Sequence, residues 1–120
     1  MQNVTVGAEP APFVFERGRA ALVIIDMQRD FLEPGGFGES LGNDVSLLRP
    51  AIGPCAAALA AAREAGLLVI HTREGHRHDL ADAPPAKVAR GPQGARIGDP
   101  GPMGRILIRG EAGHDIIAEV

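Results

Sequence analysis

The chain has 120 residues, enough for one small domain. With 45% hydrophobic residues, 22% charged residues and a net charge of −3, it reads as globular and soluble, and it lacks the basic stripe with interleaved aromatics that nucleic-acid binding needs. Its apolar runs are shorter than a bilayer span, its N-terminus shows no secretory pattern, and its single cysteine, Cys55, excludes an internal disulfide; a reducing cytoplasm is the simplest setting.

Residues 1–19 mix polar residues, Pro and Gly around a short apolar patch, Phe13-Val14-Phe15, and predict an irregular lead-in. The run Ala20–Ile25 is apolar throughout and rich in Val and Ile, which predicts a strand buried on both faces, as in a parallel sheet. Residues 33–44 hold Pro34, four glycines and Asn43-Asp44, a loop of turn formers. Ala56–Ala65 is mostly alanine and is followed by Gly66, which predicts a helix and its stop. Ile52, Cys55, Leu59 and Ala62 recur at helical spacing on one stripe, which reads Cys55 as a small core residue. One of Pro50 and Pro54 lies outside the regular helix, because proline is tolerated only in the first turn. Leu67–Thr72 predicts a second buried strand. Strand, helix and strand make a βαβ unit with parallel strands.

From Glu74 to Met103 the periodicity disappears among five prolines and five glycines, which predicts a functional loop or lid, or a disordered segment. Arg105–Ile108 reads as a third strand or an extended edge. His71, His76 and His78 cluster near Glu74 and Asp79. Such a group can bind a divalent metal or form a solvated polar loop, and the residues leave both open. Asp26 follows the first strand with no spacer. It lies where open α/β sheets gather ligands, so it reads either as a catalytic base or as a cap on the next turn.

The pattern Asp26-Met27-Gln28-Arg29-Asp30-Phe31 after Val-Ile-Ile resembles the first signature of the isochorismatase-like cysteine hydrolases. That superfamily includes isochorismatases, nicotinamidases, ureidoacrylate amidohydrolases and biuret or triuret hydrolases. The resemblance runs through Pro34-Gly35-Gly36, His71 to Arg77, Ile97 to Pro102, Gly104 to Leu107 and Arg109-Gly110-Glu111, so it covers residues 17–120. The later segments are most similar to the biuret hydrolase branch. The fold implied is α/β, a parallel sheet with flanking helices in three layers, α/β/α. Residues 1–120 would form a single domain of which only the N-terminal part is present. Half a sheet leaves an open edge and uncovered faces, so such a piece alone is expected to associate or to be unstable.

The chemistry implied is hydrolysis of a C–N bond in a small amide such as biuret by an Asp-Lys-Cys triad, with no metal or organic cofactor. Asp26 matches the triad's aspartate, and Phe31, Arg73, Glu74 and His76 match a substrate-facing edge. The lysine and cysteine have no match: Lys87 follows no strand, and Cys55 lies on the apolar stripe of a helix. The resemblance further implies a homo-oligomer, often a tetramer, with no nucleic-acid or membrane partner. Two alternatives stand beside it. One is a nicotinamidase- or isochorismatase-type hydrolase; for the nicotinamidase metal site Glu74 and His76 would supply one pair of ligands, while Leu80 stands where a further histidine would fall. The other is a non-catalytic subunit or binding module.

Overall fold

The two strands predicted around the Ala-rich helix pair directly with each other. In a computed structural model, which describes residues 2–120, β1 (Asn3–Val6) and β2 (Phe13–Glu16) are followed by β3 (Ala21–Ile25), the short helices α1 (Arg29–Leu32) and α2 (Phe37–Ser40), and the long α3 (Ile52–Glu64). After it come β4 (Leu68–Thr72), one turn of helix α4 (Pro85–Val88), the two-residue strands β5 (Pro100–Gly101) and β6 (Gly104–Arg105), and a 3-10 turn at Ala112–His114.

β3 and β4 run parallel in the register Ala21↔Leu68 to Ile25↔Thr72, with α3 packed across them. The protein is therefore α/β, as the alternation of elements predicts. α3 begins at Ile52, earlier than the alanine run, with Pro54 accommodated in its first turn and Pro50 in a 3-10 turn just before it. Its buried residues are Ile52, Leu59 and Ala62, the predicted stripe, and Cys55 lies half-buried on the same side. The helical stretch Val45–Glu64 is 20 residues long and apolar enough by composition to cross a membrane. It is broken by two 3-10 turns, and its stripe packs on the sheet and on Leu32 and Ile117.

Two expectations are corrected. Residues 1–19 are not irregular: β1 and β2 form an antiparallel hairpin in the register Asn3↔Glu16 to Val6↔Phe13. Val4, Val6, Phe13 and Phe15 supply β-formers at period two, and the Pro- and Gly-containing turn between them had masked it. Arg105–Ile108 is not a strand. Gly104–Arg105 pairs with Pro100–Gly101, the chain then turns through Leu107 at φ 53°, and Ile108 makes only an isolated parallel bridge with His76. Ile106, Leu107 and Ile108 are all buried, so the apolar run reflects a buried turn. It is held by Gly98 N–H to the Ile106 carbonyl at 2.9 Å and His76 N–H to the Leu107 carbonyl at 2.8 Å.

The expectation of strands buried on both faces is also corrected: the sheet is covered on one face only. Cross-strand partners share a face, so Val23 and Ile70 look the same way as Ile25 and Leu68. These four are 41–66% exposed, whereas Leu22, Ile24, Val69 and His71 turn toward α3. Parallel strands are stable when both faces are covered. Residues 1–120 produced alone are therefore expected to self-associate or to lose a cooperative thermal transition. Ultracentrifugation with calorimetry checks this: a monodisperse monomer melting in one sharp step would contradict it.

Candidate active site

Asp26 directly follows β3 with its backbone in the left-handed region, φ 53°. For a residue with a Cβ that conformation costs about 1–3 kcal/mol unless the surroundings enforce it. Thr72, at the end of β4, enforces it. The Asp26 N–H donates to the Thr72 carbonyl at 3.2 Å and to Thr72 Oγ1 at 3.1 Å, and the Thr72 hydroxyl donates to Asp26 Oδ1 at 2.7 Å. A hydroxyl can accept and donate at once, so the three bonds are compatible. Among the described residues Oδ2 of Asp26 has no hydrogen-bond partner, which leaves it open to an incoming proton.

Gln28 lies two residues on and is fully buried. Its Nε2 donates to the carbonyls of Glu74 at 2.9 Å and His114 at 3.0 Å, and its Oε1 accepts the Glu74 N–H at 2.7 Å. The backbone of Glu74 is thus gripped on both sides. Its carboxylate reaches Lys87 of α4, Oε1 to Nζ 2.9 Å. Both side chains line a cavity of about 210 Å³ whose other walls include Phe31, Phe37, Leu41 and Leu107. A wider, open depression of about 670 Å³ lies across α4, lined by Leu80, Pro85, Val88 and Arg105. It includes neither Asp26 nor Glu74.

Phe31 and Glu74 therefore share one cavity, whose lining does not include Asp26 or Thr72. Arg73 and His76 do not line it. Arg73 points to Asp115 on the surface, at 3.3 Å. His76 is buried with Nδ1 3.4 Å from Asp82 Oδ1, and its carbonyl accepts the Arg109 N–H at 3.0 Å. The histidines do not converge either: His71 turns toward α3, and His78 is exposed. Among the described residues no three His, Cys, Asp or Glu side chains form a metal-binding group. Neither Lys87 nor Cys55 makes a hydrogen bond or ion pair with Asp26.

A family model for the isochorismatase domain matches residues 20–119. The chain belongs to the isochorismatase family. Within this isochorismatase domain, the pattern from Asp26 to Phe31 does more than present one carboxylate. Asp30 is 3% exposed and accepts the Phe37 N–H at 3.1 Å, tying α1 to α2. Burial raises its carboxyl above 3.8, and the amides of Phe37 and Leu107 oppose that. His114 is 5% exposed. Burial lowers its imidazole below 6.5, and the charges of Arg73 and Arg109 add to the effect. Gly113 and Gly75 make the cluster close enough: a Cβ on Gly113 would strike the Asp30 carboxyl, and one on Gly75 would strike the His114 ring.

Thr72, Asp30 and His114 were not singled out from sequence, and Lys87 was named there only to be set aside as the triad lysine. Asp30 stands inside the motif and Thr72 at a strand end, so both carried a positional signal. Lys87 carried none, because its partner is fixed by the fold of the loop.

Two outcomes follow for the native protein. Gly113→Ala should destabilise it by about 1–3 kcal/mol, since neither the buried Asp30 nor the backbone can yield; chemical denaturation measures this. Asp30 binds its proton more tightly folded than unfolded, so its stabilisation is complete below 3.8 and is lost as pH rises through the higher folded value. The stability of Asp30→Asn relative to the native protein should therefore improve as pH rises from about 4 to about 6. A difference constant across denaturation curves in that range would contradict the assignment.

Proposed function

We propose that this isochorismatase-family domain serves a cysteine-dependent hydrolase that cleaves a C–N bond in a small urea-like amide such as biuret. The observation that carries the reading is the carboxylate of Asp26, fixed by Thr72 at the C-terminal end of a parallel strand with one oxygen unpartnered. Such a group suits proton transfer, because it is held in one orientation while one acceptor stays open.

In this reading Asp26 takes the proton of a thiol as the thiolate adds to the amide carbonyl. It returns that proton to the nitrogen as the C–N bond breaks, and water then hydrolyses the thioester. A lysine positions Asp26 and stabilises the oxyanion. Both the thiol and that lysine come from residues other than those described, because Cys55 belongs to the core stripe of α3 and Lys87 is held by Glu74. Phe31 and Glu74 line the substrate cavity. A cavity of about 210 Å³ with largely apolar walls, in which the Glu74–Lys87 pair and Arg90 are the charged lining residues, suits a small polar molecule.

The test is a turnover assay of the purified native protein with biuret, ureidoacrylate and nicotinamide, repeated with Asp26→Asn. Hydrolysis of biuret is expected to exceed that of the other two. Asp26→Asn keeps the shape but cannot take the proton, so kcat should fall by about 10³-fold or more. Undiminished turnover in that variant would remove Asp26 from the mechanism.

A further inference from the structure

The cavity contains a polar feature that its hydrolytic role does not by itself require. Lys87 and Glu74 lie side by side at 2.9 Å in a wall that is otherwise largely apolar, each about a third exposed, at 32% and 33%. Their mutual bond does not exhaust them. An ammonium carries three donors and a carboxylate two acceptor oxygens. With one donor used on Oε1, Lys87 keeps two protons and Glu74 keeps Oε2. The pair therefore offers a donor and an acceptor next to each other and is itself neutral, with Arg90 as the further charged residue of the lining.

We propose that Lys87 and Glu74 form a recognition pair for a carbamoyl group, making Lys87 a specificity-determining residue. Lys87 donates to the carbonyl oxygen of the group, and Glu74 accepts from its NH2. A carbamoyl group presents those two functions on adjacent atoms, so one end of a urea-like molecule fits the pair while its other end is left for the reaction. This rests on the reading of the cavity as the substrate site, and it adds the chemistry that selects the substrate.

The geometry supports a rigid pair. The backbone of Glu74 is clamped at both N–H and carbonyl by Gln28, so its side chain starts from a fixed point. Lys87 projects from α4 and is anchored at its tip. Groups held in place before binding lose little entropy when the ligand arrives. The largely apolar walls also weaken competition from water, which strengthens each charged hydrogen bond. An isolated carboxylate would instead favour a cationic ligand, and an isolated ammonium an anionic one.

Isothermal titration calorimetry on the Asp26→Asn protein tests the pair without turnover. The probes are biuret and diacetamide, in which methyls replace both NH2 groups, so that neither end can donate an NH2 proton to Glu74. The Asp26→Asn protein is expected to prefer biuret by roughly tenfold or more. Adding Lys87→Met should weaken biuret by roughly tenfold, and adding Glu74→Gln should narrow the preference over diacetamide. Lys87→Gln serves as a second variant, since it keeps a polar tip but no charge. Unchanged biuret affinity in both Lys87 variants would overturn the proposal, as would equal binding of the two probes or no binding of biuret. Retained turnover by Asp26→Asn would instead count against the catalytic reading, and the binding comparison would still judge the pair.

Discussion

One buried carboxamide holds together the parts of this molecule that matter for chemistry. Gln28 has no exposed surface, and its Oε1 and Nε2 are both bonded, to the backbone of Glu74 and to the carbonyl of His114. A buried amide left unpaired would cost about 1–3 kcal/mol, so the three stretches must stay in register for it to be satisfied. Those stretches are the start of α1, the segment after β4, and the 3-10 turn near the end of the chain. Asp26 lies two residues before Gln28 and Phe31 three residues after it. The clamp thus sets the distance between a proton-transfer candidate and the wall of the cavity.

The neighbouring packing makes the clamp hard to loosen. Gly113 and Gly75 let the turn at Ala112–His114 approach so closely that Asp30 and the His114 ring fill the space. Burying a carboxyl and an imidazole there is unfavourable for their charged forms, in the directions found for both. The cost is accepted where an apolar residue could not accept the Phe37 N–H. The segment from Glu74 onward has little regular structure, yet it is fixed. It is pinned by Gln28, by the bond of His76 N–H to the Leu107 carbonyl and by the Lys87–Glu74 ion pair.

How much of this was legible in the sequence follows from the range of the interactions. The strand Ala21–Ile25, the helix Ile52–Glu64 and the strand Leu68–Thr72 are set by local composition, and the chain shows them: a Val/Ile run, an alanine run and a stopping glycine. The motif beginning at Asp26 marked the end of the first strand. The grouping of side chains around that motif was not legible. Gln28 meets His114 across 86 residues, and Thr72 meets Asp26 across 46, distances over which spacing carries no signal. The run at Ile106–Ile108 misled for the opposite reason: it is apolar because it is buried, while its backbone turns through a left-handed Leu107. Apolar character reports burial, and only periodicity reports geometry.

The two carboxylates at this end of the sheet are set in different surroundings, and that difference divides their proposed work. Glu74 faces an ammonium at 2.9 Å, so one of its oxygens is already committed to a cation. Asp26 is bonded only to neutral groups, the Thr72 hydroxyl and its backbone carbonyl, and keeps Oδ2 open. A proton moving to Glu74 would have to break an ion pair, while one moving to Asp26 would break nothing. Swapping the roles would leave a fixed ion pair where a proton must pass and a lone charge where a neutral amide must sit. The placement of Lys87, which no local pattern in the sequence announces, is therefore what separates recognition from proton transfer in the proposed site.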